Sequence, residues 1–408
     1  MTATLLGIRV LDLSRVLAGP WATQLLGDFG ADVVKIERPG LGDDTRQWGP
    51  PWLGGARGES AYFLSTNRNK RSVTVDLSNP DGAALIRDMA RTADVLVENF
   101  KPGSLQRMGI GEATLRAANP RLIYCSISAF GQHGSKRSDP GYDAMIQASG
   151  GLMSITGDTA AEGGEPQKVG VAIADIMTGM YAATAILAAL RYRDSTGHGQ
   201  TIDVPLYDSQ VAWLANQNMN YLVGGSIPER LGNAHPNIVP YQTFVTRDGY
   251  LMLTVGNDEQ FARCVEVLRH PELATEERFS TNAARVRNRD ELIAILRAVF
   301  LDGDSKTWLS ALSAGGVPCG PVNNIQQALE CDYAREQKLV KSMSHPLDDA
   351  LPTVANPVRF SETPVQYDQA PPLLGQHTDE VLVEWLGYSE ASIAKLRETG
   401  AIQSVDDV

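Results

Sequence analysis

IRVLDLSRVLAGPWATQLLGDFGADVVKIE, residues 8–37, carries the repeating unit of the architecture. Ile8 to Leu13 is a compact apolar run with strand character. Trp21 to Phe29 has helical spacing after the Gly19-Pro20 pair, and Ala31 to Glu37 is a second strand. Outward from this unit the alternation continues. Strands are expected at Ser72 to Leu77, Val95 to Glu98 and Leu122 to Ile127, with helical segments at Pro80 to Thr92 and around Ile110 to Ala118. Strands separated by helices favour βαβ units and a mostly parallel sheet covered on both faces.

The texture changes farther along. A long helix is expected from about Asp175 to Arg193, ending at the Gly197-His198-Gly199 turn. Ile202 to Pro205 is strand-like and Leu206 to Leu222 helical. Beyond Gly224, Tyr241 to Val245 and Tyr250 to Val255 flank Arg247-Asp248-Gly249 as a hairpin signature. Amphipathic helices follow at Asp258 to Leu268, Arg287 to Phe300 and Ser305 to Ala314, and Pro352 to Pro372 is proline-spaced. The fold class is therefore α/β: a Rossmann-like large domain with a mostly parallel sheet, plus a smaller α+β domain. The expected divisions are a large domain over 1–200, a linker helix over 201–225 and the small domain over 226–330. A return linker over 331–372 and C-terminal helices over 373–408, packed on the large domain, complete the chain.

A chain of 408 residues with 43% hydrophobic and 21% charged residues is ordinary for a two-domain globular protein. The net charge of -12 argues against nucleic-acid binding, so an anionic ligand needs a local cluster of Arg and Lys. The first residues carry Arg9 and Asp12 and no signal core. Ile173 to Leu190, the most apolar stretch, contains Asp175 and is rich in Ala, Gly and Thr. It reads as a buried helix rather than a membrane span. Cys125, Cys264, Cys319 and Cys331 are scattered, without metal-ligand spacing. The expectations are a cytoplasmic protein with reduced thiols, no metal, no membrane and no nucleic-acid partner.

Several chemistries lack their residues. The first βα turn, SRVLAGP, has no G-x-G-x-x-G, so Glu37 as a ribose-binding acid is a weak signal. There is no G-x-x-x-x-G-K-[ST], no G-x-S-x-G and no H-E-x-x-H. The segment VGVAIADIMTGMYAATAILAALRYRDSTGHGQTIDV, residues 169–204, carries the positive case. Asp175 stands where the long helix begins, and free N–H groups and the helix dipole there favour its ionised form. An ionised, partly desolvated carboxylate can attack a thioester carbonyl and form a mixed anhydride. The same position also suits a plain N-cap, and position alone does not separate the two.

Ala174-Asp175 ahead of an apolar helix, followed by Thr196-Gly197-His198-Gly199-Gln200, resembles the class III CoA-transferase family (CaiB/BaiF, formyl-CoA transferase-like). LDLSRVLAGP at 11–20, GADVVKIERPGLGDDTR at 30–46, NRNKRS at 67–72 and VENFKPG at 97–103 share that likeness. So do GYDAMIQASGG at 141–151, GVPCGPVNN at 316–324 and LLGQHTDEVL at 373–382. The resemblance implies an acyl-CoA:carboxylate CoA-transferase with Asp175 as the covalent nucleophile. Its acyl-CoA thioester is a substrate, with no permanently bound cofactor, and its assembly is an interlocked homodimer.

By matched position, Val16, Ala18, Arg38, Val75, Asn99, Phe100, Lys101 and Arg107 would contact CoA, Arg giving forked donors to phosphate and Phe a flat surface to adenine. Tyr142 and Asp143 close that set. Ser78 and Pro140 replace phosphate-contacting positions of formyl-CoA transferase, and Lys136 and Arg137 lie near enough in sequence to compensate. The shielding tetraglycine loop is not found. Racemases of the same fold read G-H-D where this chain has Gly141-Tyr142-Asp143, so the base of an acid/base pair is missing. SRVLAGPWA, GLGDDTRQWGPP and GNAHPNIVPYQ at 232–242 resemble the succinyl-CoA:glutarate branch, whose small dicarboxylate acceptors want a cationic partner. Arg15, Asn233 and His235 are the candidates, although Arg15 is also placed to pair with Asp12 or Glu37. An α-methylacyl-CoA racemase and a non-catalytic CoA-binding protein are the alternative readings.

Overall fold

The computed structural model describes residues 3–55 and 58–404. Six strands form one parallel sheet: β1 (Arg9–Asp12), β2 (Asp32–Glu37), β3 (Lys70–Thr74), β4 (Val95–Glu98), β5 (Ile123–Ser128) and β6 (Thr201–Pro205). Their order across the sheet is β3-β2-β1-β4-β5-β6, with Val10 level with Val33 on one side and Val95 on the other. The chain thus winds outward from β1 in both directions, the Rossmann-like arrangement expected from the alternation.

Strand periodicity divides the side chains between two cores. Leu11, Leu13, Val34, Ile36 and Leu96 join helix α2 (Pro80–Thr92) on one face. Val10, Val33, Val95 and Val97 face α1 (Ala18–Asp28) and the long helix α4 (Ile173–Thr196) on the other. The C-terminal helix α5 (Thr378–Leu386) adds Val381, Leu382 and Trp385 to the first core, and the Trp385 indole donates to Asp32 at 2.8 Å.

Two glycines explain the turn after α4. Gly197 ends the helix at φ +79°, where a side chain would be strained. A Cβ on Gly199 would lie 2.2 Å from the Leu122 carbonyl oxygen, so only glycine lets the chain pass close enough to enter β6 beside β5. A third glycine sets the site. Gly179 lies one turn after Asp175 on the same helical face, and its missing Cβ lets α4 approach the Ala18 carbonyl, 2.6 Å from where that atom would stand. Asp175 is thereby carried against the first βα turn.

By its internal contacts the chain forms two compact units. The larger comprises 1–151, 169–218 and 335–408, and the smaller 152–168 and 219–334. Residues 152–168 lie inside the span read from sequence as the large domain, yet they pack with the smaller unit. The span 201–225 opens with β6, an edge strand of the main sheet, rather than with a linker helix. Within 331–372 the chain forms an antiparallel hairpin of Val340–His345 and Asp348–Val354. The smaller unit contains a three-stranded antiparallel sheet in which Tyr241–Thr246 pairs with Gly249–Thr254, the hairpin expected from sequence. Its core gathers Phe244, Phe261, Phe279, Phe300 and Leu296 around that sheet.

Helix α4 is long and apolar enough to cross a membrane by length and composition. In this fold Ala174, Ala182, Ala183, Ile186 and Ala189 are buried against the sheet, while Met180, Tyr181 and Tyr192 are exposed.

Candidate active site

In the larger unit, Asp175 occupies the third position of α4, three residues beyond the N-cap. Ala172 is the N-cap and has no side chain to donate to the task. Asp143, at the start of helix α3 (Asp143–Ser149), takes it over: its Oδ1 accepts from the Ala174 N–H at 2.8 Å. The Gln147 amide donates to Asp143 Oδ2 at 2.6 Å and accepts from the Val169 N–H at 2.8 Å, fixing the approach to α4. The plain N-cap reading of Asp175 is therefore corrected. With the capping done by Asp143, the Asp175 carboxylate has no side-chain or backbone hydrogen-bond donor among the described residues.

The expectation that the helix terminus holds Asp175 ionised is also corrected. Burial, reinforced by the Asp143 carboxylate, pushes its carboxyl up to about 7. Removing water from the half-buried group outweighs the favourable dipole. The group is thus poised between acid and carboxylate near neutral pH.

Asp175 lines a cleft of about 440 Å³ together with Arg15, Val16, Ala18, Asn99 and Tyr142. Arg15, Val16, Ala18 and Asn99 follow the carboxyl ends of β1 and β4, where the strand order reverses, the crevice in which open α/β sheets receive ligands. Arg15 and Phe100 also line an adjoining pocket of about 430 Å³ with Arg38, Val75 and Ser78. Lys101 and Arg137 are shared with a third pocket, of about 560 Å³, that includes Arg107. Ten of the twelve positions expected to meet CoA, the eight from Val16 to Arg107 with Arg137 and Tyr142, thus line three hollows of one unit that share lining residues. They supply the local basic cluster demanded by an acidic chain.

 Lys136 stands apart, exposed with its ammonium over the Phe130 ring, and Asp143 serves α4 as described. Of the two basic residues set against Ser78 and Pro140, Arg137 is the one that reaches the cleft.

Arg15 pairs with neither Asp12 nor Glu37. Asp12 accepts from Lys70, Ser14 and Thr23, and Glu37 holds Arg46 and Ser72. The Arg15 backbone is instead clamped by Asn99, which accepts from its N–H at 2.9 Å and donates to its carbonyl at 2.6 Å. Its guanidinium lies 4.5 Å over the Phe100 ring, so one face of that aromatic is already covered. Asn233 and His235 belong to the smaller unit. Asn233 donates to Thr243 and lines a groove of that unit with Arg289 and Arg297, and His235 packs on Tyr241.

Sequence reasoning missed the charges beneath the cleft. Lys35 and Lys70 are fully buried, binding Asp43 at 2.9 Å and Asp12 at 3.1 Å. The signal was present: a lysine inside the apolar run ADVVKIE and another in NRNKRS, each placed where only a paired charge survives burial. Glu98, at the end of β4, was also passed over; burial pushes its carboxyl up to about 7 while the Phe100 N–H donates to it. Among the described residues no three His, Cys, Asp or Glu side chains converge as a metal site.

The sequence model of CoA-transferase family III matches residues 5–378. A succinate–glutarate CoA-transferase from Agrobacterium fabrum is 47% identical over 381 residues, 93% of this chain and 94% of that protein. The succinyl-CoA:glutarate CoA-transferase of Mus musculus is 45% identical, covering 97% of this chain and 90% of the relative. A crystal structure of a CaiB/BaiF family protein from Brucella suis superposes with a TM-score of 0.84 at 43% identity, covering 94% of this chain and all of that one.

Proposed function

This chain belongs to CoA-transferase family III, and from that premise we propose that it moves CoA from succinyl-CoA to a small dicarboxylic acid through covalent intermediates on Asp175. The observation that carries the mechanism is the state of that carboxylate. It lines the cleft at the strand-order reversal, it is half-buried, and no donor among the described residues occupies its oxygens.

In its ionised form Asp175 attacks the thioester carbonyl, and the C–S bond breaks as CoA thiolate leaves, giving an aspartyl–succinyl anhydride. The thiolate then attacks the aspartyl carbonyl, releasing succinate and leaving an aspartyl-CoA thioester. The acceptor carboxylate attacks that thioester, expels the thiolate and forms a second anhydride on Asp175. Attack of the thiolate on the acceptor's acyl carbon yields the new acyl-CoA and restores the aspartate. Every bond broken is matched by one formed, and no net proton is consumed. Arg38, Arg107 and Arg137 supply donors for the CoA phosphates, and Arg15, on the wall shared by two hollows, is the cation nearest in role to the acceptor's second carboxylate.

The names of the A. fabrum and mouse relatives support succinate and glutarate as the first pair to try. The proposal further holds that the protein is cytoplasmic, binds neither nucleic acid nor membrane, and works as an interlocked homodimer. The exposed Met180, Tyr181 and Tyr192 on α4 are apolar surface that such an assembly would cover. The test is to incubate the protein with succinyl-CoA and a panel of glutarate, itaconate, mesaconate, malate and citramalate, following new thioesters by mass spectrometry. The wild type is expected to form at least one; Asp175→Ala is expected to form none. Equal turnover by the two proteins would remove Asp175 from the mechanism.

A further inference from the structure

Val16 has φ +71°, the left-handed region that a β-branched residue strongly resists. Such strain persists only where surrounding structure over-determines it. Here two clamps do so. Asn99 grips the Arg15 N–H and carbonyl on one side, and on the other the Asp43 carboxylate accepts the Val16 N–H, with both oxygens at 3.2 Å. Asp43 is itself fixed: Lys35 Nζ reaches one oxygen at 2.9 Å, and the Thr45 N–H and hydroxyl reach the other at 3.0 and 2.9 Å. The Lys35 ammonium also donates to the Ser14 carbonyl at 2.8 Å, two residues before Val16. Val16 lines the cleft of Asp175, and Asp43 lines the adjoining pocket of Arg38.

We propose that Asp43 is a positioning residue for the transfer reaction: it holds the strained Val16 turn, and so the wall shared by the Asp175 cleft and the Arg38 pocket, in the form that receives the thioester. The inference rests on the CoA-transfer reading, and it concerns a residue that touches neither Asp175 nor, by this account, the reacting atoms. Asp43 acts through the Val16 N–H.

The coupling between the two residues is what distinguishes positioning from bulk support. Glycine adopts φ +71° without strain, so a turn carrying Val16→Gly no longer needs Asp43 to hold it. Asp43→Ala is expected to lower kcat/KM for succinyl-CoA by roughly 10- to 100-fold in the Val16 background, the scale of a small misplacement near a reacting centre. In the Val16→Gly background the same substitution is expected to cost less than about threefold; any loss due to Val16→Gly alone cancels in the ratio. A purely structural Asp43 gives equal losses in both backgrounds, which overturns the proposal.

Hydrogen exchange of the 14–20 segment provides a readout independent of the acid tested. It should speed up in Asp43→Ala and stay near wild type in Asp43→Asn, whose amide oxygen still accepts the Val16 N–H. Fast exchange in Asp43→Asn as well would show that the charge on Lys35, and not the turn, is what Asp43 serves. Failure of the transfer reading itself would appear differently, as a wild type inactive on every acid with the 14–20 segment still protected through Asp43.

Discussion

Asp12 and Asp175 both sit in the larger unit, both lose water, and they end in opposite states. Asp12, under the first βα turn, is fully buried; burial pushes its carboxyl up, but Lys70 and Lys35 together with Ser14 and Thr23 outweigh it and hold the group below the usual carboxylate range. Asp175, above that turn, has no cation or donor partner among the described residues, and Asp143 adds to the desolvation instead of opposing it. Burial alone therefore does not decide what a carboxylate does. The floor of the site spends its charges on one another and becomes rigid, while the cleft leaves one carboxylate uncompensated and able to react.

The comparison can be broken most sharply at the cleft. Asp175→Asn should reduce transfer by roughly 10³-fold or more, since removing a covalent nucleophile leaves only binding and orientation. Steady-state rates with succinyl-CoA and the best acceptor measure it. The floor should fail differently. Lys70→Met leaves Asp12 with part of its compensation gone, and a loss of about 3–5 kcal/mol of stability is expected in urea unfolding at pH 7. Retention of wild-type stability would show that the buried pairs do not define the floor.

A smaller effect has the opposite sign. The Asp175 carboxyl is pushed up from 3.8 to about 7 in the fold. The folded state then holds its proton more tightly than the unfolded chain. Stability is undiminished below the unfolded value, falls as pH rises through the interval between the two, and carries the full penalty above about 7. Asp175→Asn removes that penalty. It should stabilise the protein by about 1–3 kcal/mol at pH 8, allowing for partial solvent screening, and by little at pH 4. Equal effects at the two pH values would contradict the raised carboxyl. The smallest effect is a displacement. Asp143→Asn keeps an oxygen for the Ala174 N–H but removes the neighbouring charge, so the rising limb of the kcat/KM profile, expected near pH 7, should move to lower pH.

Much of this was legible in the sequence because it is written in local patterns. The alternation around residues 8–37 gave the βαβ units, and the Gly197 and Gly199 turn fits a helix that must stop and a strand that must pass close to its neighbour. What stayed hidden depends on contacts between distant residues. The order in which β4 to β6 add beside β1 is a tertiary choice, and nothing local in 152–168 says that it packs with the smaller unit. The site follows the same rule. Asp175 was singled out by the family resemblance of the motifs around it, since its helix start fitted a plain cap equally well; its freedom from capping depends on Asp143 and Gln147, which reach α4 from another helix. Arg15 looked available to Asp12 and Glu37 until Lys70 and Arg46 were seen to claim them, leaving it stacked on Phe100.

The central claim is that the uncompensated carboxylate of Asp175 carries the acyl group. Succinyl-CoA added without an acceptor, followed by hydroxylamine trapping and peptide mapping, tests it directly. The account predicts a hydroxamate on the peptide containing Asp175, formed in proportion to CoA released and absent in Asp175→Asn. Transfer-competent protein that yields no adduct at Asp175, or an adduct at another carboxylate, would contradict it.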